Sequence, residues 1–152
     1  MKKRRNSIIL LVVLAIYWGT YIYYYNRSAS FNDMMNHSLD WDKVKLIRIV
    51  ESTPETKSRD ELEITNGNQV QEIIGAFSST DIKRERNSKT PKSDHVYEIH
   101  FLTGNKDIAA TIVLFANNYV DVHVSDLLKQ KKNGTYTITS GFDYKTVTRW
   151  FQ

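Results

Sequence analysis

The sequence predicts an α+β chain, with an N-terminal transmembrane helix followed by a mainly antiparallel sheet of about 5–6 strands and two helices on one face. Three observations predict it. An uncharged run from Ile8 to Tyr25 follows a basic start. From His95 onward, apolar and polar residues alternate in short segments separated by turn dipeptides, leaving no room for the long crossovers of a parallel sheet. Two segments carry helical spacing instead, one before this strand run and one after it.

Residues 1–7 read as a cytoplasmic basic tail and 8–25 as a membrane-spanning signal anchor. An 18-residue helix is about 27 Å long, close to the hydrocarbon thickness of a bilayer. Eight aliphatic residues between Ile8 and Ile16, at roughly −0.5 kcal/mol each, favour insertion by about −4 kcal/mol. Tyr17, Trp18, Tyr21, Tyr23, Tyr24 and Tyr25 suit the headgroup boundary, and Lys2 to Arg5 set the N-terminus inside. A cleaved secretory signal is the competing reading, with Ser28-Ala29-Ser30 as its small-residue site. Both readings place the rest of the chain outside the cytoplasm.

Residues 26–42 are mostly polar and lack sustained periodicity, so they read as a spacer ahead of an extracytoplasmic domain over 43–152. Met34, Met35, Leu39 and Trp41 are its apolar residues, available to dock on the domain or to form a short helix. Val44 to Glu51 is β-rich and ends at Ser52-Thr53-Pro54. Glu61 to Thr65 alternates, with Leu62 and Ile64 on one face, and Asn66-Gly67 marks a turn. Val70, Ile73, Ile74 and Phe77 follow i, i+3, i+4, i+7 spacing and predict a core-facing helix capped by Asn68. The polar stretch 81–94 reads as a strand fragment and a loop.

Tyr97, Ile99 and Phe101 then alternate, and Gly104-Asn105 makes a hairpin turn into Asp107 to Ala116, a strand apolar on both faces near its end. Asn117-Asn118 turns into Tyr119 to Val124, with Val120, Val122 and Val124 inward and Asp121 and His123 outward. Asn133-Gly134 leads into Thr135 to Thr139. Ser140 and Asp143 resemble a capping box for a last helix that presents Tyr144, Val147 and Phe151.

The basic balance lies in the tail. Residues 1–27 hold five Lys and Arg and no acid, leaving 16 basic against 17 acidic residues in the remainder. A nucleic-acid-binding domain carries its basic footprint on the folded part, so nucleic acid is not an expected partner. The chain has no cysteine, which excludes disulfide scaffolds, thiolate metal sites and cysteine nucleophiles. No Gly-x-Ser-x-Gly, Ser-x-x-Lys or phosphate-cradling Gly-rich loop occurs, so no enzyme and no cofactor is expected.

Two constellations stand out. Glu98 and His100 lie two apart on one strand, and Asp121 and His123 two apart on another, with small Ala109 and Thr111 on the strand between. Such a group is either an ordinary wet sheet face or a divalent-metal site shared by two imidazoles. The basic stretch Lys83, Arg84, Arg86, Lys89 and Lys92 is the candidate contact for an anionic surface, either lipid headgroups or an anionic envelope polymer.

The layout of KKRR, IILLVVLAIYWG and a strand–helix–meander region resembles the small membrane-anchored extracytoplasmic proteins of unknown function from Gram-positive bacteria. Many of those are lipoproteins, and this chain lacks their lipid-bearing cysteine. The resemblance carries no functional residues over. The apolar run and its basic flank predict a single-pass cell-membrane protein, N-terminus inside, and the expected role is a binding or interaction domain displayed at the envelope. The partners expected are the membrane and another envelope protein or polymer. An immunity- or inhibitor-type protein is the alternative, and an envelope enzyme ranks behind both.

Overall fold

The structure is a computed structural model that describes residues 2–26, 29–36, 39–85, 92–115, 118–125, 133–142 and 145–151. An N-terminal helix, α1 (Lys2–Asn26), precedes a two-residue strand, β1 (Ala29–Ser30), and a short helix, α2 (Phe31–Asn36). A single 3₁₀ turn, Trp41–Lys43, leads into β2 (Val44–Thr53) and β3 (Ser58–Ile64). Helix α3 (Gly67–Ser78) and β4 (Asp81–Arg84) follow. The meander is β5 (Val96–Thr103), β6 (Ile108–Phe115), β7 (Tyr119–Val124) and β8 (Gly134–Ser140), and α4 (Lys145–Trp150) comes last.

The α+β class agrees with the sequence, but the sheet is larger than predicted. It has eight strands in the order β1-β4-β8-β7-β6-β5-β2-β3, all antiparallel to their neighbours. β1, too short to leave a periodic signal, forms the edge opposite β3, and β4 beside it is the strand fragment read in the polar stretch 81–94. Three helices, not two, pack on one face: side chains of α2, α3 and α4 share one apolar cluster with the inward residues of β2 and β5–β8.

The transmembrane expectation is corrected. Among the described residues no helix is long and apolar enough to cross a membrane. Every described side chain from Ile9 to Tyr23 on α1 is exposed. The composition along the helix gives the reason. The aliphatic stretch from Ile8 to Ile16 is nine residues, about 13 Å of helix, under half of a ~30 Å hydrocarbon core. Beyond it the helix carries Tyr17, Trp18, Gly19, Thr20 and Tyr21, and the Thr20 hydroxyl donates to the carbonyls of Ile16 and Tyr17, each at 2.9 Å.

The stretch read as a spacer also belongs in part to the core. Phe31, Met34, Met35 and Leu39 are buried, and the Trp41 ring packs edge-on to Phe101 at 5.4 Å. Both options that the sequence offers for Met34, Met35, Leu39 and Trp41, docking on the domain and a short helix, occur, and Phe31 joins them. Ser30 starts α2, its hydroxyl accepting from the Asn32 N–H at 3.1 Å, while the Phe31 N–H donates to the Thr80 carbonyl at 2.8 Å.

Helix α3 buries the four residues of the predicted stripe, Val70, Ile73, Ile74 and Phe77. Its cap is Asn66, not Asn68: the Asn66 side-chain oxygen accepts from the N–H groups of Asn68 and Gln69. Phe77 centres an aromatic cluster, stacked on Phe142 at 4.7 Å, edge-on to Phe101 at 6.0 Å and tilted against Phe31 at 5.4 Å. The β5–β6 turn closes with Lys106, at φ 66°, rather than on its glycine, and the Lys106 N–H donates to the Thr103 carbonyl at 2.9 Å. Tyr144 and Asp143 of the predicted last helix lie outside the described residues, while Val147 is fully buried and Phe151 packs against Tyr97 at 6.0 Å.

Candidate functional site

The helices cover one face of the sheet, so the other face carries the polar side chains of the alternating strands. The ladder registers align them into rows. Glu63, Arg48, His100, Thr111 and His123 stand opposite one another across β3, β2, β5, β6 and β7. The adjacent row runs Glu61, Val50, Glu98, Val113, Asp121 and Thr135.

The four residues singled out from sequence therefore do share one face, in two rows. Thr111 separates the two histidines and Val113 separates the two acids. His100 is committed on both sides: Nδ1 lies 3.0 Å from the Thr111 hydroxyl, and Nε2 lies 3.6 Å from Glu98 Oε2. Burial lowers its pKa below the usual value; Glu98 opposes that, while Arg48 and Arg59 add to it. His100 is thus a neutral, hydrogen-bonded member of the sheet at pH 7. His123 is exposed, and Asp121 Oδ1 is buried with no hydrogen-bond partner among the described residues. Among the described residues no group of three or more His, Asp or Glu side chains is placed to hold a metal ion.

Arg48 organises the β3 end of this face. Its Nε lies 3.0 Å from Glu61 Oε1, close enough for an ion pair but out of line for a hydrogen bond, and Nη2 donates to Glu63 Oε2 at 3.5 Å. These partly exposed pairs fix side-chain direction more than they stabilise the fold.

Of the basic candidates, Lys83, Arg84 and Lys92 are among the described residues. Lys83 and Arg84 are consecutive on β4 and so emerge on opposite faces. Arg84 folds back, its Nη2 donating to the Asn133 carbonyl at 3.2 Å. Lys92 is exposed, and Arg86 and Lys89 lie outside the described residues.

One concave feature among the described residues is one the sequence did not single out. A cleft of about 370 Å³ opens between β3, α3 and α4. Leu62, Ile64, Ile73 and Trp150 supply its apolar wall, and Gln69, Glu72 and Arg149 its polar rim. Each part has a local cause. Period two turns Leu62 and Ile64 to the helix side of β3, helical spacing turns Ile73 toward the sheet, and Val147, buried at the root of α4, leaves Arg149 and Trp150 at the mouth. Neither Glu72 nor Arg149 forms an ion pair among the described residues. The sequence signal that existed was the Leu62/Ile64 alternation; what it lacked was that β3 ends the sheet.

No protein family, curated protein or solved structure matches the chain.

Proposed function

We propose that the α+β region is a binding module that engages another protein through the cleft beside β3. The observation that carries this reading is the coincidence of a half-apolar cleft with the open end of the sheet. Recognition sites are concave, largely apolar and furnished with a few placed polar groups, and Leu62, Ile64, Ile73 and Trp150 with Glu72 and Arg149 supply that combination. The basic start, the apolar run and the α+β region that follows, as a layout, support the cell envelope as its site of action.

A photo-crosslinking residue at Gln69, on the cleft rim, tests the reading against the same residue at exposed Asn105 on the β5–β6 turn. In native cells the Gln69 probe should trap one discrete protein adduct and the Asn105 probe none. Equal adducts from both positions, or none from either, would overturn it.

A further inference from the structure

We infer that the protein engaged beside β3 is a second copy of this chain: two β3 strands pair edge to edge, antiparallel, about a two-fold axis at Asp60. This rests on the binding-module reading and names its partner.

β3 ends the sheet, and its seven residues offer about 23 Å of backbone whose outward N–H and C=O groups pair with no strand among the described residues. Proline and bulges are two devices that close such an edge to further pairing. β3 has neither, since its sequence is SRDELEI and its register with β2 runs without a shift.

The order of charges along the strand then selects the occupant. Arg59, Glu61 and Glu63 share the face away from the helices, and Lys57 ends the β2–β3 turn just before them. In chain order the row is two bases and then two acids. Lys57 and Arg59 form no ion pair among the described residues, whereas Glu61 and Glu63 share the one guanidinium of Arg48. One end of the row therefore keeps an excess of positive charge and the other an excess of negative charge. The strand that complements it has the same order and runs the other way, and β3 itself is that strand. With Asp60 on the axis, Arg59 stands opposite Glu61 of the second copy, and Lys57 comes beside Glu63 of that copy, each twice by symmetry. Opposite charges directly across a ladder stabilise it. Asp60 meets itself, but that carboxylate is exposed and the opposite-charge pairs outnumber it. The β2–β3 turn of the second copy, residues 54–57, then runs past Ile64, where the cleft opens. A two-fold contact of this kind closes on itself and stops at a dimer.

The chain has no cysteine, so an introduced one reports a single site. The test places one at Asp60, Arg59 or Glu61 of the full chain and follows disulfide-linked dimer under mild oxidation. Directly opposed residues of an antiparallel pair have Cα atoms about 5 Å apart, within disulfide reach, whereas the two copies of residue 59, or of residue 61, would stand about 8 Å apart, beyond it. Asp60→Cys should link at least about tenfold more than Arg59→Cys or Glu61→Cys. In the Asp60→Cys chain, Arg59→Glu should cut the linked fraction several-fold, and adding Glu61→Arg should restore it. No linked dimer with Asp60→Cys, or equal linking at all three positions, overturns the inference. Linking strongest at either neighbour overturns the Arg59–Glu61 pairing, and an unchanged linked fraction with Arg59→Glu overturns the charge argument. If the Gln69 probe traps a different protein while Asp60→Cys stays unlinked, the binding-module reading survives and the second copy falls. A linked dimer without a Gln69 adduct keeps the edge contact and removes the cleft; if both fail, both fall.

Discussion

Gly141 approaches Ser79 so closely that a Cβ on Gly141 would stand 2.3 Å from the Ser79 carbonyl oxygen. Its φ of 90° is also closed to other residues without strain. This contact ties the end of β8 to the end of α3, beside the Phe77–Phe142 stack. Gly141→Ala should therefore cost about 3 kcal/mol, from backbone strain and the clash together. Urea unfolding measures it, and a loss under about 0.5 kcal/mol would contradict the geometry.

His100 predicts a pH dependence. Burial holds its folded pKa below the unfolded value of 6.5. The unfolded chain then takes up the proton first, so the contribution of neutral His100 is whole above about pH 6.5 and is lost as pH falls through the folded value. Between about pH 7.5 and 5.5, the native chain should lose more of its urea midpoint than His100→Gln does. Identical pH profiles for the two would show that His100 titrates alike in both states.

The α3 cap gives a smaller effect. Asn66→Ala removes the acceptor for the Asn68 and Gln69 N–H groups and should cost about 1 kcal/mol. Asn68→Ala, at the position favoured by sequence alone, should be close to neutral. Equilibrium denaturation of the two variants separates the assignments.

The boundary of the core can be tested by truncation. The apolar side chains of α1 are exposed, whereas Phe31, Met34 and Met35 are buried against α3 and the sheet. A chain starting at Ala29 should keep a cooperative unfolding transition. A chain starting at His37 should lose it, because it exposes three core side chains and gives up the Phe31 hydrogen bond to Thr80. Equal stability of the two would remove 31–36 from the core.

The strands of the meander were legible because each buries one face. Val120, Val122 and Val124 could take only one register, and Gly104-Asn105 placed the β5–β6 turn, whereas Gly134 belongs to β8 opposite Val122. β1 was not legible, since two residues carry no period. α2 was legible only as an option for Met34 and Met35, because its buried side chains alternate with Asn32 and Asp33 within barely two turns. α1 misled because the count of uncharged residues weighed its tyrosines with its aliphatic residues. The face shared by His100 and His123 followed from alternation alone, but the Thr111 hydroxyl between them, which occupies His100 Nδ1, needed the register. The cleft was the least legible feature. Leu62 and Trp150 are 88 positions apart, and only the strand order makes β3 an edge for α4 to overhang.

Backbone amide hydrogen exchange on the full chain, with and without the protein trapped by the Gln69 probe, decides whether the cleft is a binding site. The binding-module reading predicts that amides of β3 and α3, which line the cleft, slow in the complex. Unchanged exchange there, with protection appearing on the opposite face of the sheet, would contradict it.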